Sequence, residues 1–141
     1  IRVLLVGKCG SGKSSVGNQL IGSKVFTVSN TDGTQQSQLA RRTLEDGREL
    51  VIVDTPGYYN IRLTEEETQK EIDRGMELLA PGPHCVIFVF SLSERVTGDD
   101  IKRIENFQSV FDMYLNKHVL VVFTGMDNLK DKGQTLDEYI Q

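Results

Sequence analysis

Eight residues near the start of the chain, Gly7-Lys8-Cys9-Gly10-Ser11-Gly12-Lys13-Ser14, read G-x-x-x-x-G-K-S. Glycines at three of these positions let successive backbone N–H groups turn toward one point with no Cβ in the way, which makes a nest for an anion. A helix opening directly behind the loop adds the positive end of its dipole. Lys13 supplies a mobile charge for the β- and γ-phosphates of a nucleotide, and the Ser14 hydroxyl is a hard oxygen of the kind Mg2+ accepts. Gly7, Lys8, Cys9, Gly10, Ser11, Gly12, Lys13, Ser14 and Ser15 are therefore the candidate phosphate-binding residues. A chance glycine-rich turn is the ordinary alternative, and the placement between an apolar run and a helical pattern argues against it.

Two more groups extend this chemistry. "ELVIVDTPG" ends an apolar run in Asp54-Thr55-Pro56-Gly57. There Asp54 can hold Mg2+ through water, and Gly57 offers an N–H to a γ-phosphate. D-x-x-G alone often marks a plain turn; its weight comes from lying about 40 residues behind a phosphate loop. "VVFTGMDNL" then gives Thr124-x-x-Asp127. A carboxylate at Asp127 can accept both the N1–H and the amino hydrogens of guanine, which adenine does not offer in that arrangement. A helix cap or a loop acid is the ordinary reading of the same residue.

Such groups must be held by a scaffold, and the apolar patterning supplies one. Four continuous apolar runs, Arg2–Val6, Glu49–Val53, His84–Phe90 and His118–Phe123, predict strands covered on both faces. Helical patterns lie between them. Thr64 and Glu67 form a predicted capping box ahead of Ile72, Met76 and Leu79 on one face, with Pro81 as the stop. Thr97 opens a helix expected to bury Ile101, Ile104, Phe111 and Leu115, and Thr135 to Glu138 marks a further start. The alternation predicts an α/β fold with a doubly wound, mostly parallel sheet. All three chemical groups then fall at the carboxyl edge of that sheet, where such folds bind ligands. Ser23 to Leu39, polar and aperiodic, is expected to be one long loop, functional or mobile.

Composition narrows the class. With 38% hydrophobic and 26% charged residues, the 141-residue chain suits one globular domain, and a net charge of −4 gives no footprint for a nucleic-acid partner. No run approaches the roughly 20 apolar residues of a membrane helix. Two thiols, Cys9 and Cys85, point to a reducing compartment rather than a disulfide framework. The chain opens on Ile1 and ends within a helical pattern, so it is read as an incomplete segment of a longer protein.

Taken together the motifs resemble a G domain, and the nearer resemblance is to the immunity-associated GTPases with an AIG-type domain, the GIMAP or IAN family. The resemblance rests on "GKCGSGKSSVGN", Val51–Gly57, "APGPH" at Ala80–His84, "SERVT" at Ser93–Thr97 and "FTGMDNL" at Phe123–Leu129. It implies a P-loop NTPase fold over residues 1–141, GTP or GDP with Mg2+ as ligands, and pairing into a homodimer or oligomer through the nucleotide face. It implies a cytoplasmic location, with an organelle surface reached only through segments outside this chain. The switch threonine would be Thr34, a third Mg2+ ligand beside Ser14 and Asp54, with Thr31 its rival. The family's basic residue after the first position of T-x-x-D is Gly125 here, and the loop supporting the base lies beyond Gln141.

Hydrolysis is expected to be slow. Where Ras-like enzymes place a glutamine after D-x-x-G, this chain has Tyr58 and Tyr59. The candidate catalytic residues are Lys13, Thr34 and Arg95, the last supplied across the dimer that the resemblance implies, as a guanidinium for charge developing on the phosphates; a solvent-exposed loop arginine is its ordinary reading. The alternatives are a scaffold that binds GTP and barely hydrolyses it, and an ATP-using kinase or ATPase, against which Asp127 argues.

Overall fold

The computed structural model of the chain describes residues 1–28, 35–111, 118–127, 132, 133, 135, 137 and 138. Five strands form one sheet: β1 (Arg2–Gly7), β2 (Gln38–Thr43), β3 (Glu49–Asp54), β4 (Cys85–Ser91) and β5 (His118–Thr124), in the order β2-β3-β1-β4-β5. The β1–β3, β1–β4 and β4–β5 pairs are parallel, and β2 runs antiparallel to β3. Helix α1 (Lys13–Ile21) follows β1, α2 (Glu65–Leu78) follows β3, and α3 (Gly98–Phe111) follows β4. The doubly wound, mostly parallel α/β sheet expected from the sequence is the observed one.

Why the apolar runs are continuous is plain from the two cores. Leu4 and Val6 of β1 face one side with Val53, Val86 and Phe88, against Ile72, Leu79 and Met76 of the α2 segment and Ile104 and Phe107 of α3. Val3 and Leu5 face the other side with Ile52, Ile87 and Val89, against Val16 and Ile21 of α1 and Phe26. Alternate residues serve opposite faces, and both faces are covered. The Phe107 ring meets Phe88 edge-on, 5.5 Å between centroids, which seats α3.

Two expectations need correction. The stretch Ser23 to Leu39 is not all loop: Gln38 and Leu39 begin β2, a strand absent from the sequence reading. β2 is an edge strand with only Ala40 fully buried, so it carries no apolar run. Its turn held the missed signal. Asp46-Gly47 separates it from β3, Gly47 has φ 85°, and the Gly47 amide donates to the Leu44 carbonyl. In α3, Ile101 is half exposed, and Ile104 and Phe107 are the residues turned to the core. The Phe111 side chain and Leu115 lie outside the described residues.

The helix starts differ in a way that matters for the site. Thr64 accepts from the Glu67 amide while Glu67 accepts from the Thr64 amide, so α2 closes its own end as expected. Thr97 and Asp100 do the same for α3, and Thr135 and Glu138 repeat it near the chain end. At α1 the N-cap is Gly12, in the left-handed region at φ 92°, and no side chain caps it.

His84 ties the strand starts together as a turn cap: its Nδ1 accepts from the Arg2 amide at 2.9 Å, and its own amide donates to the Arg2 carbonyl. His118 lies exposed at the start of β5. Among the described residues no helix is long and apolar enough to cross a membrane.

Candidate functional site

The sheet registers Leu5 of β1 against Asp54 of β3, so the loop after β1 and the Asp54 carboxylate end up side by side. Three groups meet there. Ser14, in the first turn of α1, donates its hydroxyl to Asp54 Oδ2 at 2.5 Å. Lys13 is 6% exposed and Asp54 fully buried. The Lys13 ammonium donates to the Lys8 carbonyl at 3.1 Å and so lies back across its own loop. Burial pushes its pKa below the usual lysine value, with Asp54 and then Cys9 pulling the other way. An ammonium held in this way, beside a helix start with no side-chain cap, is placed to meet an anion.

The donor set suits Mg2+. It offers a hydroxyl and one buried carboxylate, and the described residues hold no cluster of three or more His, Cys, Asp or Glu. Magnesium commonly uses one or two carboxylates and completes its shell with water and phosphate, whereas a cluster of soft ligands would suit zinc. Thr34 and its rival Thr31 lie outside the described residues.

The segment after β3 is laid directly on the phosphate loop. The Tyr58 amide donates to the Gly7 carbonyl at 3.0 Å, and the Cys9 amide donates to the Tyr58 carbonyl at 2.9 Å. A Cβ on Gly57 would come within 2.4 Å of the Cys9 nitrogen, so glycine is demanded by close approach. Thr55 donates to the Leu5 carbonyl at 2.6 Å and fixes the exit from β3. This corrects the part expected of Cys9: its amide is engaged by Tyr58, not turned into the anion nest. Gly10, exposed, and the buried Ser11 line the rest of the loop, and Ser15 is exposed on α1.

Tyr58 sits where a water-orienting group was sought. It is 6% exposed, with the Arg103 guanidinium 3.8 Å above its ring. Burial raises its phenol pKa and Arg103 only partly offsets this, so the hydroxyl stays protonated at neutral pH. Tyr59 adopts φ 59° and half its surface is exposed. Tyr58 is thus held beneath Arg103, and Tyr59 is open to solvent.

Lys8 is not aimed at the anion position either. Its ammonium pairs with Asp100 at 3.1 Å and donates to the Arg95 carbonyl at 3.3 Å. Arg95 itself is exposed in the loop between β4 and α3, next to Lys8 and Ser11. Its guanidinium forms no ion pair among the described residues.

At the other end of the carboxyl edge, Thr124 donates to the Ser11 carbonyl at 2.6 Å, with the Phe90 carbonyl at 3.3 Å. Its hydroxyl thus braces the phosphate loop from β5. Gly125 takes φ 78°, where a side chain would be strained, and Asp127 is exposed two residues on. The phosphate loop, Asp54, Gly57, Thr124 and Arg95 are brought to one edge; Asp127 stands at its rim.

Residues without a role in the sequence reading also act here. Asn18 accepts from the Val25 and Phe26 amides and donates to the Phe26 carbonyl, clamping the chain where it leaves α1. Ser37 bonds the Glu71 carboxylate and carbonyl on α2. Asp100 was legible only as the fourth residue of T-x-x-D at a helix start.

Comparison with known proteins agrees with this geometry. The model of the AIG1 family matches residues 1–141. Immune-associated nucleotide-binding protein 7 of Arabidopsis thaliana is 36% identical over 140 residues, covering 98% of this chain and 45% of that protein. The chain thus spans about half the length of this curated relative. Among solved structures, a variant of Era from Aquifex aeolicus bound to GDP·AlF4− superposes with a TM-score of 0.71 at 24% identity, covering 99% of this chain and 44% of that one. Chloroplast translocon components atToc33 and psToc159, whose dimerization is described as important for their GTPase activity, superpose with a TM-score of 0.61 at 27% identity, covering 77% and 44%.

Proposed function

The chain belongs to the AIG1 family, and we propose that it is a guanine-nucleotide-binding switch that hydrolyses GTP slowly with Mg2+ and assembles through its nucleotide face. The observation that carries this reading is the buried Lys13, set beside the Ser14–Asp54 contact in front of an uncapped helix start. That combination suits a polyphosphate with its metal and little else. The names of its relatives, which speak of nucleotide binding, support it. Guanine is favoured over adenine by Asp127, whose exposed carboxylate leaves both oxygens to pair with adjacent donors on a base.

In this reading Lys13 moves from the Lys8 carbonyl to the phosphates, and the Gly10, Gly12 and Lys13 amides surround them. Ser14 and Asp54 would hold Mg2+, which when bound neutralises charge on the phosphate oxygens. Gly57 reports the γ-phosphate through its amide, and because it rests on Cys9 any shift there moves the segment bearing Tyr58 and Tyr59. Neither tyrosine orients water. Arg95, exposed beside the phosphate loop, is then the group left to complete the site of a second copy. The dimer-linked activity described for the chloroplast components supports that role.

The discriminating experiment is phosphate release across a wide dilution series. Turnover per molecule is expected to rise with concentration, and Arg95→Ala to flatten the rise with GTP affinity nearly intact. Arginine fingers contribute roughly 10³–10⁵ in rate where they operate. A rate independent of concentration rejects catalysis across a dimer. The burial of Tyr58 beneath the Arg103 guanidinium favours a second reading, a GTP-bound scaffold without turnover; retained GTP binding with no phosphate release selects it.

A further inference from the structure

A lysine inside a phosphate loop would ordinarily be expected to face phosphate, yet Lys8 faces three other segments. Its ammonium is 3.1 Å from Asp100 Oδ2 and 3.3 Å from the Arg95 carbonyl, and it lies 5.9 Å from the centre of the Tyr59 ring. The pair is sheltered, with the side chains 15% and 3% exposed. Asp100 is itself anchored, because its Oδ2 accepts from the Thr97 amide at 2.7 Å and the Thr97 hydroxyl at 2.9 Å. The loop of Leu92 to Thr97 is therefore gripped at its end by Asp100 and in its middle by Lys8. One cation joins the phosphate loop, the segment after β3 and the loop after β4.

We propose that Asp100, acting through Lys8, is a positioning residue that couples ligand occupancy of the phosphate loop to the placement of the loop presenting Arg95. This rests on the nucleotide-switch reading above and gives that site its internal linkage. Lys8 shares its carbonyl between the Lys13 ammonium and the Ser11 amide. When Lys13 turns to phosphate, the backbone of Lys8 loses one of its two partners, and its side chain carries the adjustment to Asp100 and Arg95. A helix cap alone would not need the lysine. The Thr97–Asp100 contacts already close α3, much as Thr64 and Glu67 close α2 without any cation.

Amide hydrogen exchange in the full chain, with and without GDP and Mg2+, tests the coupling. In the parent, nucleotide is expected to slow exchange across residues 92–97. Asp100→Asn keeps an oxygen for the Thr97 amide but removes the charge that holds Lys8. It is expected to abolish that slowing while GDP affinity stays within about threefold, and to cut the concentration-dependent turnover at least about fivefold, the lower range for coupled sites. Asp100→Glu is expected to restore both in part. Lys8→Met combined with Asp100→Asn is expected to be no worse than either alone, as for two members of one contact. Nucleotide-dependent slowing in Asp100→Asn equal to the parent's overturns the proposal, as does its absence from a parent that binds GDP. A lower melting temperature with the slowing intact would assign Asp100 to capping only, which also overturns it. If turnover proves independent of concentration, the exchange data still decide the coupling, while the dimer reading fails separately.

Discussion

The two ends of the sheet's carboxyl edge are built to different standards. At the β1–β3 end, Lys13, Ser11, Asp54 and Thr55 are all at most 6% exposed, and the Gly57–Tyr58 backbone is bonded to Gly7 and Cys9. At the β5 end, Gly125, Met126 and Asp127 are exposed, and among the described residues the side-chain hydrogen bond to the phosphate loop is that of the Thr124 hydroxyl. In the proposed reading phosphate is therefore met by groups fixed in the folded scaffold. The base, in the same reading, meets Asp127, an exposed carboxylate, where a charged hydrogen bond is weakened by solvent competition. Substitutions should therefore act on different quantities at the two ends.

The largest effect is expected at Lys13. Lys13→Met removes a charge-assisted contact to phosphate worth about 3 kcal/mol, so nucleotide affinity falls by more than about a hundredfold. Folding should not suffer, since the Lys8 carbonyl keeps the Ser11 amide as donor and a buried ammonium is replaced by an apolar chain of similar length. The sign of the pH dependence follows. The folded-state pKa of Lys13 is lowered by burial from 10.5, so the folded chain releases its proton first and stability rises as pH climbs through that window toward 10.5. Lys13→Met is expected to lose this rise and to melt no lower than the parent at neutral pH without nucleotide. Thermal melts over an alkaline series, with fluorescent GDP titration alongside, check both. A variant that binds GDP as the parent does would remove Lys13 from the phosphate site.

At the base end the expected change is one of preference. Asp127→Asn exchanges an acceptor pair for an acceptor and a donor, which matches xanthine rather than guanine. A loss of about 1.5–3 kcal/mol for GDP, roughly ten- to a hundredfold, should appear with a gain for xanthosine diphosphate. Competition between the two nucleotides measures it. Unchanged ranking would mean that the exposed carboxylate does not read the base, and the comparison between the ends would collapse to phosphate recognition alone.

How far the sequence reaches also differs between regions. Lys13, Ser14, Asp54 and Gly57 are legible because local rules place them: an apolar run, a glycine turn and a helix start fix each position within a few residues. β2 was not legible, since an edge strand with one buried residue has no apolar period to detect, although Asp46-Gly47 marked its turn. Ile101 misled because helical spacing fits two neighbouring stripes, and only the packing of Phe107 on Phe88 chooses between them. The direction of the Lys8 side chain depends on Asp100, 92 residues away, and the engagement of the Cys9 amide depends on Tyr58. Contacts of that range are made by the fold and leave no local trace in the chain.

The smallest effect, and the sharpest for the comparison, is expected at Thr124. Its hydroxyl is the described bond joining the base end to the phosphate end, 2.6 Å from the Ser11 carbonyl. Its methyl packs where a Cβ on Gly12 would meet it at 3.3 Å. Thr124→Val keeps the shape and removes the donor, leaving the Ser11 carbonyl short of a partner beside a buried Ser11 hydroxyl that already lacks one among the described residues. The expected loss is about 1–2 kcal/mol of stability. A loosened phosphate loop should lower affinity a few-fold, and by the same factor for GDP, xanthosine diphosphate and ADP, because the brace acts on phosphates common to all three. If Thr124 instead contacts the base, the variant changes the ranking of the three nucleotides. Parallel titrations with the three diphosphates separate a uniform loss from a selective one. A selective loss would make the base end a two-residue reader, Thr124 with Asp127, and remove the division between a built phosphate site and a sparsely built base site.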